Sequence, residues 1–165
     1  MTNKCLRWSA ILLITGIAVT TCVGQESPAP KFYKLDFVIK EVEANKVLNA
    51  RTYSILAATG PSSSPYSIRT SVQIQVGPPD HWQQVEIGTR IDCHKLVEIQ
   101  NQLSLTVSVD VTGLAQETTN LPLVRHFIWG SEVLVPIKKP TVVFSSDNAT
   151  SKAQMQVELT AISIP

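Results

Sequence analysis

Apolar and polar residues alternate over most of the chain from Phe32 onward. The most regular stretch is Leu103–Val111, in which leucine or valine at every odd position alternates with serine, threonine or aspartate. On a β-strand successive side chains point to opposite faces, so this pattern places all the apolar side chains on one face. It predicts a strand with one face against a core and the other face in water.

Seven further segments have the same period and are separated by residues that favour turns. The predicted strands are Phe32–Val42, Val47–Ala57, Tyr66–Val76, Gln84–Leu96, Leu123–Val135, Thr141–Phe144 and Ala153–Ile164. Glu43–Lys46 is a plausible tight turn, and the prolines and serines of Gly60–Pro65 predict a loop. We therefore expect an all-β fold, with residues 32–165 forming a single antiparallel domain that is either a β-sandwich or a strongly curled sheet.

The first 24 residues have a different character. Lys4 and Arg7 precede an uncharged apolar run at residues 11–19, and small residues follow it. The run is shorter than the ~20 apolar residues that span a bilayer. A basic start, a short apolar middle and small residues after it are typical of a secretory signal helix.

Two forms of this export signal are compatible with the sequence. Cleavage after Gly24 would make residues 1–24 a signal peptide and 25–31 a linker. Alternatively, the sequence before Cys22 resembles the cleavage box of bacterial lipoproteins, with a signal ending at residue 21 and lipid on Cys22. A retained anchor helix is a third alternative. We expect an exported protein that is periplasmic or membrane-anchored on the outer-membrane side, and otherwise secreted.

Charge argues against nucleic acid as a partner. The chain has a net charge of +1, which falls by two if Lys4 and Arg7 leave with the signal. The remaining basic residues are scattered, and only Lys138 and Lys139 are adjacent. Because nucleic-acid binding depends on clustered cations that neutralise phosphates, we expect no such binding.

Asp92, Cys93 and His94 are the only sequence cluster that suggests catalysis. On a strand Cys93 and His94 would point to opposite faces and could not act together. Asp92 and His94 share a face and would need a third ligand to hold a metal. A small buried cysteine between polar neighbours is the simpler interpretation, since free cysteine packs as a small hydrophobic residue. We expect no enzyme, no catalytic residues, no metal and no cofactor, with a thiol- or metal-dependent enzyme as the rival.

Three aromatic and imidazole side chains are candidates for a ligand or partner surface. His81 and Trp82 follow a break at Gly77–Asp80, and Trp129 lies in a predicted strand near His126. An exposed tryptophan can stack on a sugar or contact a partner protein. The alternative is that these tryptophans cover one end of the core.

Residues 85–164 resemble the secretin homology region, the C-terminal β-domain of outer-membrane channels in type II and type III secretion and type IV pilus systems. The resemblance follows the order of "V-x-I-G-x-x-I-D" at Val85–Asp92, the strand Leu103–Thr112, the stretch Pro122-Leu123-Val124-Arg125, and "V-x-V-P" with the lysines and Pro140 after it. Between Phe144 and Ala153 only a short polar loop stands where secretins carry their membrane-inserting segment. The resemblance therefore implies a secretin-like fragment rather than a competent channel.

These observations give two functional hypotheses. The first is a non-enzymatic bacterial envelope protein that acts through protein–protein contacts, with envelope, secretion or pilus-type proteins or further copies of itself as partners. It would meet a membrane only through the signal or a lipid anchor. The alternative is a β-sandwich that binds a small ligand or carbohydrate through exposed tryptophans.

Overall fold

The computed structural model describes residues 29–60, 64–77, 80–115, 123–147 and 153–165 of the chain. The predicted signal peptide, Cys22 and most of the predicted linker lie outside these residues. All eight predicted strands are confirmed, with ends that differ by at most four residues. They are β1 (Phe32–Glu43), β2 (Lys46–Ala58), β3 (Tyr66–Val76), β4 (Gln83–Ile99), β5 (Gln102–Ala115), β6 (Leu123–Pro136), β7 (Thr141–Asp147) and β8 (Gln154–Ile164).

The strands form two four-stranded antiparallel sheets, with orders β2-β1-β8-β7 and β3-β4-β5-β6. The all-β prediction is thus confirmed, and the arrangement is a sandwich because the inner faces of both sheets share one buried cluster. In the first sheet, β1 and β8 pair centrally from Phe32 opposite Ile164 to Val42 opposite Gln154. The second sheet is a simple meander in which consecutive strands are neighbours.

The core consists of the inward positions of the central strands. Leu35 and Phe37 of β1 and the odd residues Leu103–Val109 of β5 are all completely buried. The partners from β8 are Val157, Leu159 and Ala161, which are also inaccessible to solvent. The odd-numbered apolar face predicted for β5 is therefore the face that packs against the opposite sheet, as period-two alternation requires.

Two local backbone features set the register of the strands. Ala44 and Asn45 have positive φ values of 46° and 66° and form the predicted turn between β1 and β2. In β4, a bulge between His94 and Val97 contains Lys95 at a φ of 56°. The extra residue reverses the alternation, so that Leu96 is buried while Lys95 stays in water. The sequence pattern alone did not indicate this change of face.

The two ends of the sandwich differ. At one end the chain turns within each sheet, from β1 to β2, β3 to β4, β5 to β6 and β7 to β8. We call it the hairpin end, comprising the described parts of residues 39–51, 70–89, 110–128 and 144–157. At the other end β1 begins, β8 finishes and the chain passes between the sheets after β2 and β6. We call it the crossover end, comprising the described parts of residues 29–36, 54–66, 95–105, 133–140 and 159–165.

Candidate functional site

A cleft of about 450 Å³ opens between the two sheets at the hairpin end. Both sheets contribute inward-facing residues there, beyond the point at which the core closes. The residues that line the cleft are Ile39, Lys40, Glu41, Asn49, Arg51, Thr89, Val111, Thr112, Gly113, Leu114, Arg125, His126, Phe127, Ser146, Asp147 and Met155. The volume lies within the range of small-molecule pockets.

The floor of the cleft is apolar with one polar contact between the sheets. Ile39, Phe127 and Met155 supply apolar surface that is buried or half-buried. Thr89 is buried, and its Oγ1 accepts a hydrogen bond from the Tyr53 hydroxyl at 2.8 Å. This bond joins β2 to β4 across the sandwich. It fixes the spacing of the sheets at the base of the cleft and satisfies a group that would be costly to bury alone.

The cleft carries two arginines on opposing walls. Arg51 lies opposite Ile39 on β2, and Arg125 has the same strand parity as Phe127 on β6, so both are on the inner faces of their sheets. Neither guanidinium takes part in an ion pair with another described residue. Because a guanidinium is a planar fork of donors, each arginine could bind a carboxylate or phosphate that enters the cleft.

Two carboxylates lie at the same opening and limit its positive charge. Glu41 is the neighbour of Asn49 across the β1–β2 ladder, one row beyond Arg51. Asp147 accepts a hydrogen bond from the Gln154 side chain at 2.9 Å. The lining therefore has three basic residues and two carboxylates, and one of the basic residues, Lys40, is paired with Glu158 at 2.8 Å. It suits a small anionic group rather than a highly charged polyanion.

The strand pattern in the sequence contains a signal for the two arginines that its aromatic residues overshadow. Arg51 has the parity of Tyr53 and Ile55, and Arg125 that of Phe127 and Trp129. A charged residue on the apolar face of a strand indicates that the strand extends beyond the core at that position. Whether two such residues meet depends on strand order, which the local pattern does not contain.

The structure does not bring the predicted aromatic residues together. Trp82 is 55% exposed, next to the exposed His81, just before β4. Trp129 is half-buried and its ring packs against Phe144 of the other sheet, with centroids 5.1 Å apart. Trp129 on β6 lies opposite Val109 on β5, which in turn lies opposite Ile91 on β4. Ile91 is nine residues along the chain from Trp82. At ~3.3 Å per residue the two tryptophans are separated by roughly 30 Å along the sheet.

Cys93 is completely buried and points into the core, as expected. Burial, with a smaller effect of the Asp92 charge, raises the pKa of its thiol to about 12. Asp92, on the outer face, accepts hydrogen bonds from Ser67 and from the Arg90 guanidinium, the latter at 2.6 Å. The protonated thiol is thus separated from any acid–base partner. No group of three metal-ligating side chains occurs among the described residues.

A polar network that the sequence did not reveal lies at the crossover end. The Tyr33 hydroxyl donates to Glu98 at 2.7 Å, and Lys31 pairs with the same carboxylate oxygen at 2.6 Å. Burial and the bond to Glu98 raise the pKa of Tyr33 to about 12. Hydrogen bonds from Lys31 and Tyr33 lower the pKa of Glu98. The bulge in β4 produces this contact, because it turns Glu98 toward the inner face.

In the part of the chain that the structure describes, no helix has the length and hydropathy needed to cross a membrane.

Comparisons with known proteins give one weak likeness. No protein-family profile matches the chain, and no curated protein sequence matches it. Among solved structures, the secretin-domain β-barrel of InvG from the Salmonella SPI-1 injectisome superimposes with a TM-score of 0.45 at 9% identity, covering 82% of this chain and 62% of that one.

Two further InvG structures give the same TM-score and identity. They are the SPI-1 type III secretion injectisome secretin, of which 64% is covered, and the basal body proteins InvG, PrgH and PrgK, of which 45% is covered. The chain therefore spans less than two thirds of each of these chains. Its structural likeness is to secretin β-domains, and it is weak.

Proposed function

We propose that the chain is a non-enzymatic protein of a bacterial envelope whose β-domain acts through protein–protein contacts. The partners would be envelope proteins, including components of secretion or pilus-type assemblies, or a second copy of the chain. The predicted export signal at the N-terminus supports the location, and the ordered sequence motifs of residues 85–164 support the class of partner. The structural argument rests on one strand, β6.

β6 is a long and regular strand at the edge of its sheet. It pairs with β5 through 14 consecutive residues without a register shift, and none of the described strands pairs with its other side. An edge of this kind presents unpaired backbone donors and acceptors to any extended segment that approaches. Proteins often recognise extended peptides by adding a strand at such an edge.

The side chains of β6 favour the same interpretation. Ile128 and Leu134 are 65% and 51% exposed on the outer face. A further strand beside β6 would cover part of both side chains and would satisfy the free backbone groups. By contrast, the edge strand β7 has seven residues and an irregularity between Val142 and Phe144, features that discourage pairing.

The chemistry of the described residues agrees with a binding role. Cys93 is buried and protonated, and Asp92 is held by Arg90 on the other face of the strand.

The test is site-specific photocross-linking of the full-length protein in its own host. A photoreactive residue replaces Ile128 in one variant and Glu86 in the control, because Glu86 is exposed on β4, a central strand of the same sheet that has no free edge. We expect position 128 to form a discrete adduct with an envelope or secretion-type protein, or with a second copy. If positions 128 and 86 give the same background, the β6 proposal is wrong.

A second candidate function is supported by the cleft. The unpaired Arg51 and Arg125 above an apolar floor favour a small ligand that carries a carboxylate or phosphate. Trp82, which is exposed, remains a separate stacking position for a carbohydrate. A thermal-shift screen with carboxylated, phosphorylated and neutral sugars separates these cases. A shift that disappears in Arg125→Gln but persists in Arg69→Gln supports the cleft, whereas a shift that both variants retain excludes it.

A further inference from the structure

We propose that the crossover end of the sandwich rests on an anionic lipid surface, with the hairpin end directed away from it. This inference goes beyond the proposed function, since it assigns an orientation and a second binding surface with a different kind of partner. It rests on the charges of the two ends, on the apolar side chains around the crossover end, and on the place where the chain enters the domain.

Charge is distributed unequally between the two ends. Among described residues the crossover end has five lysines and two carboxylates, whereas the hairpin end has four basic residues and six carboxylates. Both carboxylates of the crossover end are already paired, Glu98 with Lys31 at 2.6 Å and Asp36 with Lys34 at 3.0 Å. The three lysines left without an ion-pair partner in the described chain are Lys95, Lys138 and Lys139.

These lysines are held in defined backbone positions. Lys95 occupies the bulge of β4 and Lys138 the link after β6, with φ values of 56° and 66°. The Lys138 backbone NH donates to the Ala161 carbonyl at 2.7 Å, which ties this link to β8. The ammonium groups are exposed and extend from an ordered surface. Each such lysine adds to the attraction for an anionic lipid surface.

Apolar side chains surround the lysines on both faces of the sandwich. Phe32 and Ile164 are cross-strand neighbours in the last row of the first sheet and are 54% and 37% exposed. Ile99, in the last row of the second sheet, is 48% exposed. Lysines together with partly exposed aromatic and aliphatic residues are suited to the boundary between lipid headgroups and acyl chains, where each has a favourable environment.

The path of the chain supports the same orientation. The described chain begins with Ala29 at the crossover end, next to Lys31 and Phe32. Six residues lie between Cys22 and Ala29 in the sequence, so an extended chain would span at most ~25 Å from one to the other. A lipid on Cys22, or an anchor at residues 11–19, would therefore keep the crossover end close to the bilayer surface.

The test is lysine footprinting of the full-length protein on vesicles. A water-soluble acylating reagent modifies exposed lysines, and mass spectrometry reports each site separately. Vesicles of phosphatidylcholine with phosphatidylglycerol are compared with vesicles of phosphatidylcholine alone. Lys46, which is exposed at the hairpin end, is the internal control. We expect Lys138 and Lys139 to be protected several-fold on anionic vesicles, and Lys46 to remain fully reactive.

A pair of variants shows whether the charges cause the protection. Lys138→Glu/Lys139→Glu should lower partitioning to anionic vesicles at least about tenfold, because each lysine contributes ~1 kcal/mol near such a surface. Lys46→Glu should leave it unchanged. Equal reactivity of Lys138, Lys139 and Lys46 on anionic vesicles would overturn the proposal. So would protection of Lys138 and Lys139 by envelope proteins but not by vesicles, which would make this end a protein-binding surface.

Discussion

Gly88 lies where β4 passes very close to β3, and its replacement by alanine should be strongly destabilising. A Cβ atom at this position would be 2.0 Å from the Thr70 carbonyl oxygen and 2.6 Å from the Ser71 Cα. Both atoms belong to the backbone, so no side-chain rotation can relieve the collision. Gly113, on the neighbouring strand β5, is the matched control, because a Cβ there would meet no atom within 4 Å.

The magnitude follows from the displacement that the new methyl group requires. Ordinary contact begins at 3.4 Å, so β3 must move by about 1.4 Å to accommodate it. A shift of this size takes hydrogen bonds with an N–O distance of ~2.9 Å outside bonding range. Loss of two ladder bonds at ~1 kcal/mol each, with poorer packing, costs about 2–3 kcal/mol. The smaller backbone entropy of unfolded alanine returns ~0.4–1 kcal/mol.

We therefore expect Gly88→Ala to lower the free energy of unfolding by about 1–2.5 kcal/mol, and Gly113→Ala to raise it by up to ~1 kcal/mol. Urea titration of the full-length protein, followed by circular dichroism, measures both changes. Equal slopes with denaturant concentration would show that the extent of unfolding is the same. If the two variants unfold at the same urea concentration, the close approach of β3 and β4 is not a feature of the folded protein.

Substitutions at two cross-sheet contacts and labelling of the buried thiol give three further tests. Because folding raises the pKa of Tyr33 from 10.0 to about 12, the contribution of Tyr33 to stability is complete below pH 10 and is lost as the pH rises to 12. Tyr33→Phe should therefore reduce the loss of stability over that pH range, as urea titrations at several pH values would measure. Cys93 should react with a maleimide only after denaturation, as peptide mapping would show; rapid labelling of native protein would contradict its burial. Thr89→Val should lower the free energy of unfolding by about 1 kcal/mol when Tyr53 is present and by less in a Tyr53→Phe background, because the two hydroxyls bond to each other. Additive effects of the two substitutions would argue against that bond.

The strands could be predicted from the sequence because each has one face in the core and the other in water. Each strand that faces the core has a period-two pattern, and a one-residue error would invert it visibly. The turn at Ala44–Asn45 was also predictable, because asparagine tolerates positive φ. The bulge at Lys95 was not, since no residue in β4 marks it and its effect on Glu98 depends on the position of Tyr33 in another sheet.

The candidate sites were less predictable for a related reason. Arg51 and Arg125 belong to β2 and β6, which are in different sheets, and both line the cleft because the hairpin ends of the two sheets lie together. Aromatic residues were more conspicuous in the sequence, but Trp129 packs against Phe144 and is remote from Trp82. Local patterns specify the face on which a residue lies, whereas a site depends on long-range strand order, which the sequence pattern leaves open.

The proposed surfaces can be occupied at the same time because they lie on different parts of the sandwich. β6 runs from the hairpin end to the crossover end, so a partner strand beside it would extend along the domain and away from the lipid surface. The cleft would then open on the side opposite the membrane, where Arg51 and Arg125 are accessible to a soluble ligand. Contact with lipid would also fix the direction of β6 relative to the bilayer. An edge strand held in one orientation loses less rotational freedom when a partner binds, so lipid contact would strengthen strand addition without any new contact to the partner.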